Sequence, residues 1–246
     1  MQKGHFCPFS CLVLHRKTVA VLKLTNLLSP KSRVVLKPFH HTIRLPIELL
    51  FNEIIMNEIT EFIRNRRSVV IRNLTNQPVP QADLDLIIDC GIRVPDHAVL
   101  APWRVVVILP AQACHLGTTI LAPEFKRLNP DATEAMLTFE EGRFTRTGAV
   151  IAVLSCPQQH PKIPVWEMQL SAGAVCQNLL SSALALNYGA QWVTEWYAYN
   201  DKLLRALGGN PETDKFAGFI YIGTKNEDPK ERRRPDKKDV VSYYTA

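Results

Sequence analysis

No apolar run in this 246-residue chain reaches the roughly 18–20 residues that a membrane-spanning helix requires. The nearest stretch, LSAGAVCQNLLSSALALN, is broken by Gln177 and Asn178. Glycine-built phosphate cradles are missing too: there is no G-x-G-x-x-G and no P-loop. Nor is there an H-E-x-x-H, a G-x-S-x-G or a C-x-x-C, so three common catalytic frameworks have no foothold. A nucleotide binder stays open, but side-chain cations would have to hold its phosphate. Cys90, Cys114, Cys156 and Cys176 show no paired spacing, and a chain of this length needs no disulfide staples. A reducing cytoplasm is the expected location.

The formal net charge of +6 suggests a polyanion partner until it is located along the chain. Residues 1–55 hold eight Lys/Arg against two acids, which leaves 21 of each sign in residues 56–246. The basic character therefore belongs to the first segment alone, and the remainder carries no global field for nucleic acid. That segment also holds four of the seven histidines and lacks a clear amphipathic period. It reads as a poorly ordered extension, as an Arg/Lys-rich targeting peptide, or as sequence upstream of a true start at Met56. Cys7, Cys11 and His15 suggest a metal knuckle, but C-x3-C has no matching second pair, so no metal is expected.

From Met56 the pattern becomes coherent. Asn57 is a good N-cap, and Ile59, Phe62 and Ile63 at helical spacing predict a helix over 58–67. PVPQADLDLIIDCG predicts a second, with Pro80 near its start and Gly91 near its stop. WRVVVIL (103–109), AVIAVLS (149–155), AQWVT (190–194) and FAGFIYIG (216–223) read as strands. Two helical pieces, punctuated by Pro123 and Pro130, are expected between Pro110 and Phe144. A long buried helix should cover WEMQLSAGAVCQNLLSSALALN, stopped by Asn187 and Gly189, and a short one 201–209. Helices dominate and the β-α alternation is irregular. The fold class is α+β, a small, mostly antiparallel sheet covered by helices. The domains expected are residues 1–55 as the extension and 56–246 as the folded unit, ending in an exposed arm with a β-prone VVSYYT patch.

Arg66, Arg67 and Ser68 follow the first predicted helix directly. A guanidinium forks onto two phosphate oxygens and a hydroxyl adds a directional donor. Alone, the triplet reads better as a solvated helix end. In combination with RVPDH and PWR before a strand, KIPVWEMQLSAGAVCQNLL, GAQWVTEWYAYN, GFIYIGT and RPDKKDVV, the chain resembles the nitroreductase family of FMN-dependent oxidoreductases. Within it, the P-D-H motif is similar to that of a small bacterial subgroup. The resemblance runs from about Met56 to the C-terminus.

The resemblance implies a nitroreductase-like fold and a homodimer with FMN at the subunit interface, the C-terminal arm of one subunit embracing the other. It implies that Arg66, Arg67 and Ser68 hold the flavin's phosphate and ribityl chain. Arg93 and His97 would lie beside the cofactor, and Trp192, Val193 and Thr194 along its ring. Residues 182–187 match a stretch that contacts the nicotinamide cofactor. The implied activity passes hydride from NAD(P)H through FMN to a nitroaromatic, quinone or similar small-molecule acceptor, by a ping-pong mechanism with no catalytic side chain. Partners beyond these are not expected: no nucleic acid and no membrane.

Departures from the family pattern bear on redox tuning. Many relatives carry a second cation two or three residues after the serine, where this chain has Val70 and Ile71, with Arg72 one step later. Ala101 replaces a usual Gln, and Val193 stands where close relatives often have Arg. These departures keep open an FMN-binding carrier or sensor without efficient turnover. Among the other landmarks, Trp166, Trp192 and Trp196 read as core or interface packing. Glu195 reads as a buried capping carboxylate or an acid, Asp96 as a turn cap that positions His97. His115 reads as a helix-surface residue, and Arg232–Arg234 as a solvated charge block with a possible phosphate contact.

Overall fold

The computed structural model describes residues 58–245, together with the backbone of 33–36 and 43–46. The chain divides into two compact units, Met1–Asn65 and Arg66–Ala246. In the first, β1 (Arg33–Leu36) pairs antiparallel with β2 (Ile43–Pro46), and α1 spans 58–65. Asn57, Cys7, Cys11 and His15 lie outside the described residues.

The second unit is built on one antiparallel sheet of four strands in the order β3-β4-β6-β5. These are β3 (Trp103–Ile108), β4 (Ala149–Ser155), β5 (Gly189–Val193) and β6 (Lys215–Gly223). Every residue of β4 is buried, which explains why AVIAVLS is apolar without alternation: both faces of the sheet are covered. On one face Val150, Ala152 and Leu154 join Phe144, Tyr197, Phe219 and Tyr221. On the other, Ala149, Ile151 and Val153 meet Ile220 and Ile222 and the helices α2 (Gln81–Gly91) and α6 (Val165–Ala185). The period of two along a strand thus sorts one sequence run into two cores.

α6 buries Met168, Ala172, Val175, Cys176, Leu179 and Ala183 along one side, at the i, i+3, i+4 spacing of a helix against a sheet. It ends as expected at Asn187, which takes φ +66°. Tyr188 N donates to Ala183 O at 3.0 Å and Asn187 N to Leu184 O at 3.1 Å, the paired bonds of a Schellman stop. α2 approaches α6 closely because Gly91 has no side chain: a Cβ there would lie 2.3 Å from Leu179 Cδ2.

Between Pro110 and Phe144 two helical pieces form, as expected, with Pro130 between them, but Pro123 does not punctuate the first. α3 (Pro110–Leu116), a π turn (Gly117–Leu121) and α4 (Ala122–Leu128) run on without a break, followed by α5 (Glu134–Glu141). Pro123 does not end the helix; it falls directly after the π turn, whose i→i+5 bonding, with Ala122 N donating to Gly117 O, changes the ladder just ahead of it. The π turn packs against the end of α5 at Gly117, where a Cβ would stand 2.0 Å from Glu141 O. The helix predicted over 58–67 stops at residue 65. Past that point backbone bonding to β5 captures the chain, with Val69 N donating to Ala190 O at 2.9 Å. α7 (Asp201–Ala206) is capped by Asn200, and the tail forms only α8 (Lys237–Val240), with no strand in VVSYYT. Among the described residues no helix is long and apolar enough to cross a membrane.

Candidate functional site

The segment after Asn65 is stitched on two sides. Val69 is buried and bonded to β5, and Ile71 N donates to Gln191 Oε1 at 2.8 Å. On the other side, Thr75 N donates to Thr224 O at 2.9 Å and Asn226 N to Asn73 O at 3.0 Å. Leu74 and Lys225 form an isolated antiparallel bridge. The chain leaving β6 is thereby carried past residues 66–73, which brings Glu231 and Arg234 to Arg66 and Arg67.

The result is a cluster of three guanidinium groups and one carboxylate. Arg67 Nε donates to Glu231 Oε2 at 2.6 Å and its Nη2 bonds the same oxygen. Its Nη1 donates to the Arg66 carbonyl at 2.8 Å. Arg234 Nε stands 3.8 Å from Glu231 Oε1. Arg66 has no such relief: its Nε is buried with no hydrogen-bond partner. Desolvation first, then the charges of Arg234 and Arg67, hold its pKa below the ordinary value. A buried, unpartnered donor among like charges is costly in isolation. An anion would satisfy the donor and neutralise the repulsion together. Ser68 lines an adjoining cavity of about 360 Å³ with Arg72 and Asn73. Arg72 therefore shares a cavity with Ser68.

Arg93 and His97 lie on a different layer, at the end of α2 against α6. Asn178 Nδ2 donates to the Arg93 carbonyl at 2.9 Å, and the Arg93 side chain is exposed. Asp96 caps its turn as expected: Oδ2 accepts from Ala101 N at 2.7 Å and Oδ1 from Leu100 N at 3.2 Å. Those bonds hold a strained loop in which Ala98, Val99 and Ala101 all take positive φ, at +59°, +54° and +44°. Ser171 Oγ ties the loop to α6 by donating to Pro95 O at 2.8 Å. His97 is presented on this loop, with Nδ1 2.7 Å from Glu167 Oε2. An open cavity of about 530 Å³ lies beside the pair, lined by Pro95, Leu170 and Ala174.

On β5, alternation splits the third group of expected residues. Val193 pairs with Phe219 and packs against the cluster around Phe144 and Tyr197. Trp192 pairs with Ile220 and so faces the α6 side. Thr194 follows the strand and is exposed. A role for Val193 toward a ligand would thus fall to its backbone, since the core takes its side chain. Glu195 is half-buried and ion-paired to Arg143, whose Nε also binds Glu140 Oε2 at 2.7 Å. Trp196 Nε1 donates to the same Glu140 oxygen at 2.9 Å, and the hydroxyls of Tyr197 and Tyr221 meet at 2.9 Å. Burial pushes both phenols above their ordinary pKa. These bonds anchor the chain after β5, and Glu195 spends Oε2 on Arg143.

Sequence reasoning missed Glu231 and Glu167. Neither carries a local signal, because each meets its partner across more than sixty residues. Arg234 was visible only as part of a charge block, and its proximity to Arg66 depends on the stitching of 224–226 to 73–75.

Comparison with known proteins bears on this geometry. The family model described as "Nitroreductase family" matches residues 63–224. The Escherichia coli K12 protein named "Putative NAD(P)H nitroreductase YdjA" is 27% identical over 186 residues, covering 75% of this chain and 98% of that protein. A Haemophilus influenzae protein named "Putative NAD(P)H nitroreductase" is 32% identical over 172 residues, covering 68% and 90%. Among solved structures, a nitroreductase-like family protein from Bacillus cereus superposes with a TM-score of 0.62 at 19% identity, covering 76% of this chain and 95% of that one. A Desulfovibrio desulfuricans nitroreductase homologue crystallised with FMN gives 0.57 at 24% identity, covering 76% and 98%. With the family model matching residues 63–224 and a relative 32% identical over 90% of its own length, the chain belongs to the nitroreductase family.

Proposed function

We propose that this protein is an FMN-dependent NAD(P)H oxidoreductase that works as a homodimer. The observation that carries the reading is the buried, unpartnered Nε of Arg66 beside Arg67 and Arg234, in a chain whose relatives are named for NAD(P)H nitroreduction. The donor set fits a phosphomonoester. Three guanidinium groups less one carboxylate leave a formal charge of +2, opposite to the −1.5 to −2 of a phosphomonoester near pH 7.

Arg66 and Arg234 hold the phosphate, with Arg67 drawn in and Ser68 supplying a hydroxyl donor. Trp192 and the backbone of Val193 and Thr194 border the ring, while Arg93 and His97 serve the cofactor across the subunit interface. Exposed Trp166 and Leu170, one turn apart on α6, and exposed Tyr243 and Tyr244 on the arm are apolar surfaces suited to a partner subunit. When bound, FMN supplies alternate hydride acceptance from NAD(P)H and donation to a nitroaromatic, quinone or similar acceptor. The described cysteines are free thiols, which suits a reducing cytoplasm.

The test is direct. Purified protein should be yellow, should release FMN on denaturation, and should oxidise NAD(P)H only when a quinone or nitroarene is present, with parallel-line ping-pong kinetics. Tight FMN binding without turnover would move the reading to a flavin carrier or sensor. A colourless protein that takes up no FMN would end it.

A further inference from the structure

Arginine offers oxyanions two edges, Nε with Nη2 and Nη1 with Nη2. In Arg67 the Nε–Nη2 edge is taken by Glu231 Oε2 and Nη1 is turned to the Arg66 carbonyl. A phosphate reaching the cluster through Arg66 meets an Arg67 already in use. Glu231 is also tied to its own segment, since Oε1 accepts from Arg232 N at 3.0 Å and faces Arg234 at 3.8 Å. Its side chain is 62% exposed, so releasing it to water costs little. Arg67 is only 17% exposed and benefits more from a doubly charged partner.

We infer that Glu231 and the cofactor phosphate compete for the same edge of Arg67, which makes Glu231 the residue that sets the affinity and phosphate dependence of the anchor. This rests on the FMN reading above. The contrast is with a buttress: a carboxylate that aims Arg67 at the phosphate would strengthen binding, whereas one that occupies its forking edge weakens it. Contact with the Nε–Nη2 edge, and not with the back of the guanidinium, favours competition. The Arg66 donor stays open while Arg67 is engaged, so the phosphate docks first on Arg66 and Arg234. Glu231 then leaves as the second negative charge draws Arg67 in. Neutral riboflavin has nothing with which to displace it.

The experiment titrates FMN and riboflavin into deflavinated full-length protein and Glu231→Gln, following quenching of flavin fluorescence at low ionic strength. FMN should bind Glu231→Gln about two- to five-fold more tightly, the span of an exposed ion pair, with riboflavin unchanged. Equal or weaker FMN binding overturns competition and makes Glu231 a buttress. A parallel measurement needs no variant: inorganic phosphate added to the wild-type protein should speed cleavage after Glu231 by a glutamate-specific protease, which must take that side chain into its own pocket. Slower or unchanged cleavage also overturns the inference. Wild-type protein that binds no FMN would instead sink the flavin reading, and the phosphate-dependent cleavage would still decide whether Glu231 competes with an anion.

Discussion

The indole of Trp192 occupies the space that a side chain on residue 218 would need: a Cβ at Gly218 would stand 2.0 Å from Trp192 Nε1. That nitrogen donates to the Ala217 carbonyl at 3.1 Å. Gly218 pairs with Val153 where β4 and β6 change register, the next residue, Leu154, pairing with Phe216. The irregularity, the missing side chain and the seated indole therefore belong to one local arrangement.

Gly218→Ala should expel the indole from this seat. Overpacking of this kind costs about 1–3 kcal/mol, a drop of several degrees in melting temperature for a unit of this size. Intrinsic tryptophan fluorescence should shift with it, and FMN retention should fall, because Trp192 borders the proposed ring site. An unchanged melt and spectrum would mean that the strand gives way elsewhere.

Arg66→Ala separates phosphate binding from stability. If Arg66 holds the phosphate, FMN binding should weaken about ten- to a hundred-fold, the worth of one charged hydrogen bond at about 1.5–3 kcal/mol. Riboflavin binding should hardly change. The flavin-free variant should also be no less stable than wild type, since an unpartnered buried donor among like charges has been removed. Equal weakening for both flavins, or a sharp loss of stability without ligand, would place Arg66 in a structural role.

Much of this was legible in the sequence, for identifiable reasons. β4 and β6 are long β-branched or aromatic runs, and α6 carries both its apolar spacing and its Asn187 stop. The π turn and the continuity of α3 into α4 were not legible, because Pro123 signals a break whether it ends a helix or follows a π turn within one. Arg66 could be singled out by type, but its orphaned Nε depends on residues 230–234 arriving from the far end of the chain. The orientation of Val193 was set by register against Phe219, and no motif encodes register.

The basic segment can be tested by removal. The family match begins at residue 63, and YdjA is covered over 98% of its length by 75% of this chain. A chain beginning at Met56 should fold, dimerise and bind FMN as the full-length protein does. Size-exclusion chromatography with light scattering, together with flavin absorbance, would report this. Loss of soluble dimer would show that residues 1–55 belong to the fold.

Glu124 gives a pH signature independent of the flavin. It is 3% exposed, yet its carboxylate accepts from Arg127 at 2.9 and 3.0 Å and from Asn200 Nδ2 at 3.1 Å, and it pairs with Lys202 Nζ at 2.6 Å. The bonds from Arg127 and Lys202 outweigh desolvation and hold its pKa at about 2, against an ordinary 4.5. Asn200 caps α7 through Leu203 N, so the carboxylate joins α4 to the start of α7. Because the folded pKa lies below the unfolded one, its contribution is complete above about pH 4.5 and is lost as the pH falls toward 2. Glu124→Gln keeps an acceptor for Asn200 but gives up both charged bonds. At neutral pH it should cost about 1–3 kcal/mol, tempered because Arg127 and Lys202 are exposed and regain water. By about pH 3 the gap in urea midpoint between wild type and variant should shrink to about half or less, since unfolded Glu124 is then largely protonated. A gap that stays constant from neutral pH to about pH 3 would show that α4 and α7 are held by packing and the Asn200 bond, with the charge of Glu124 adding nothing.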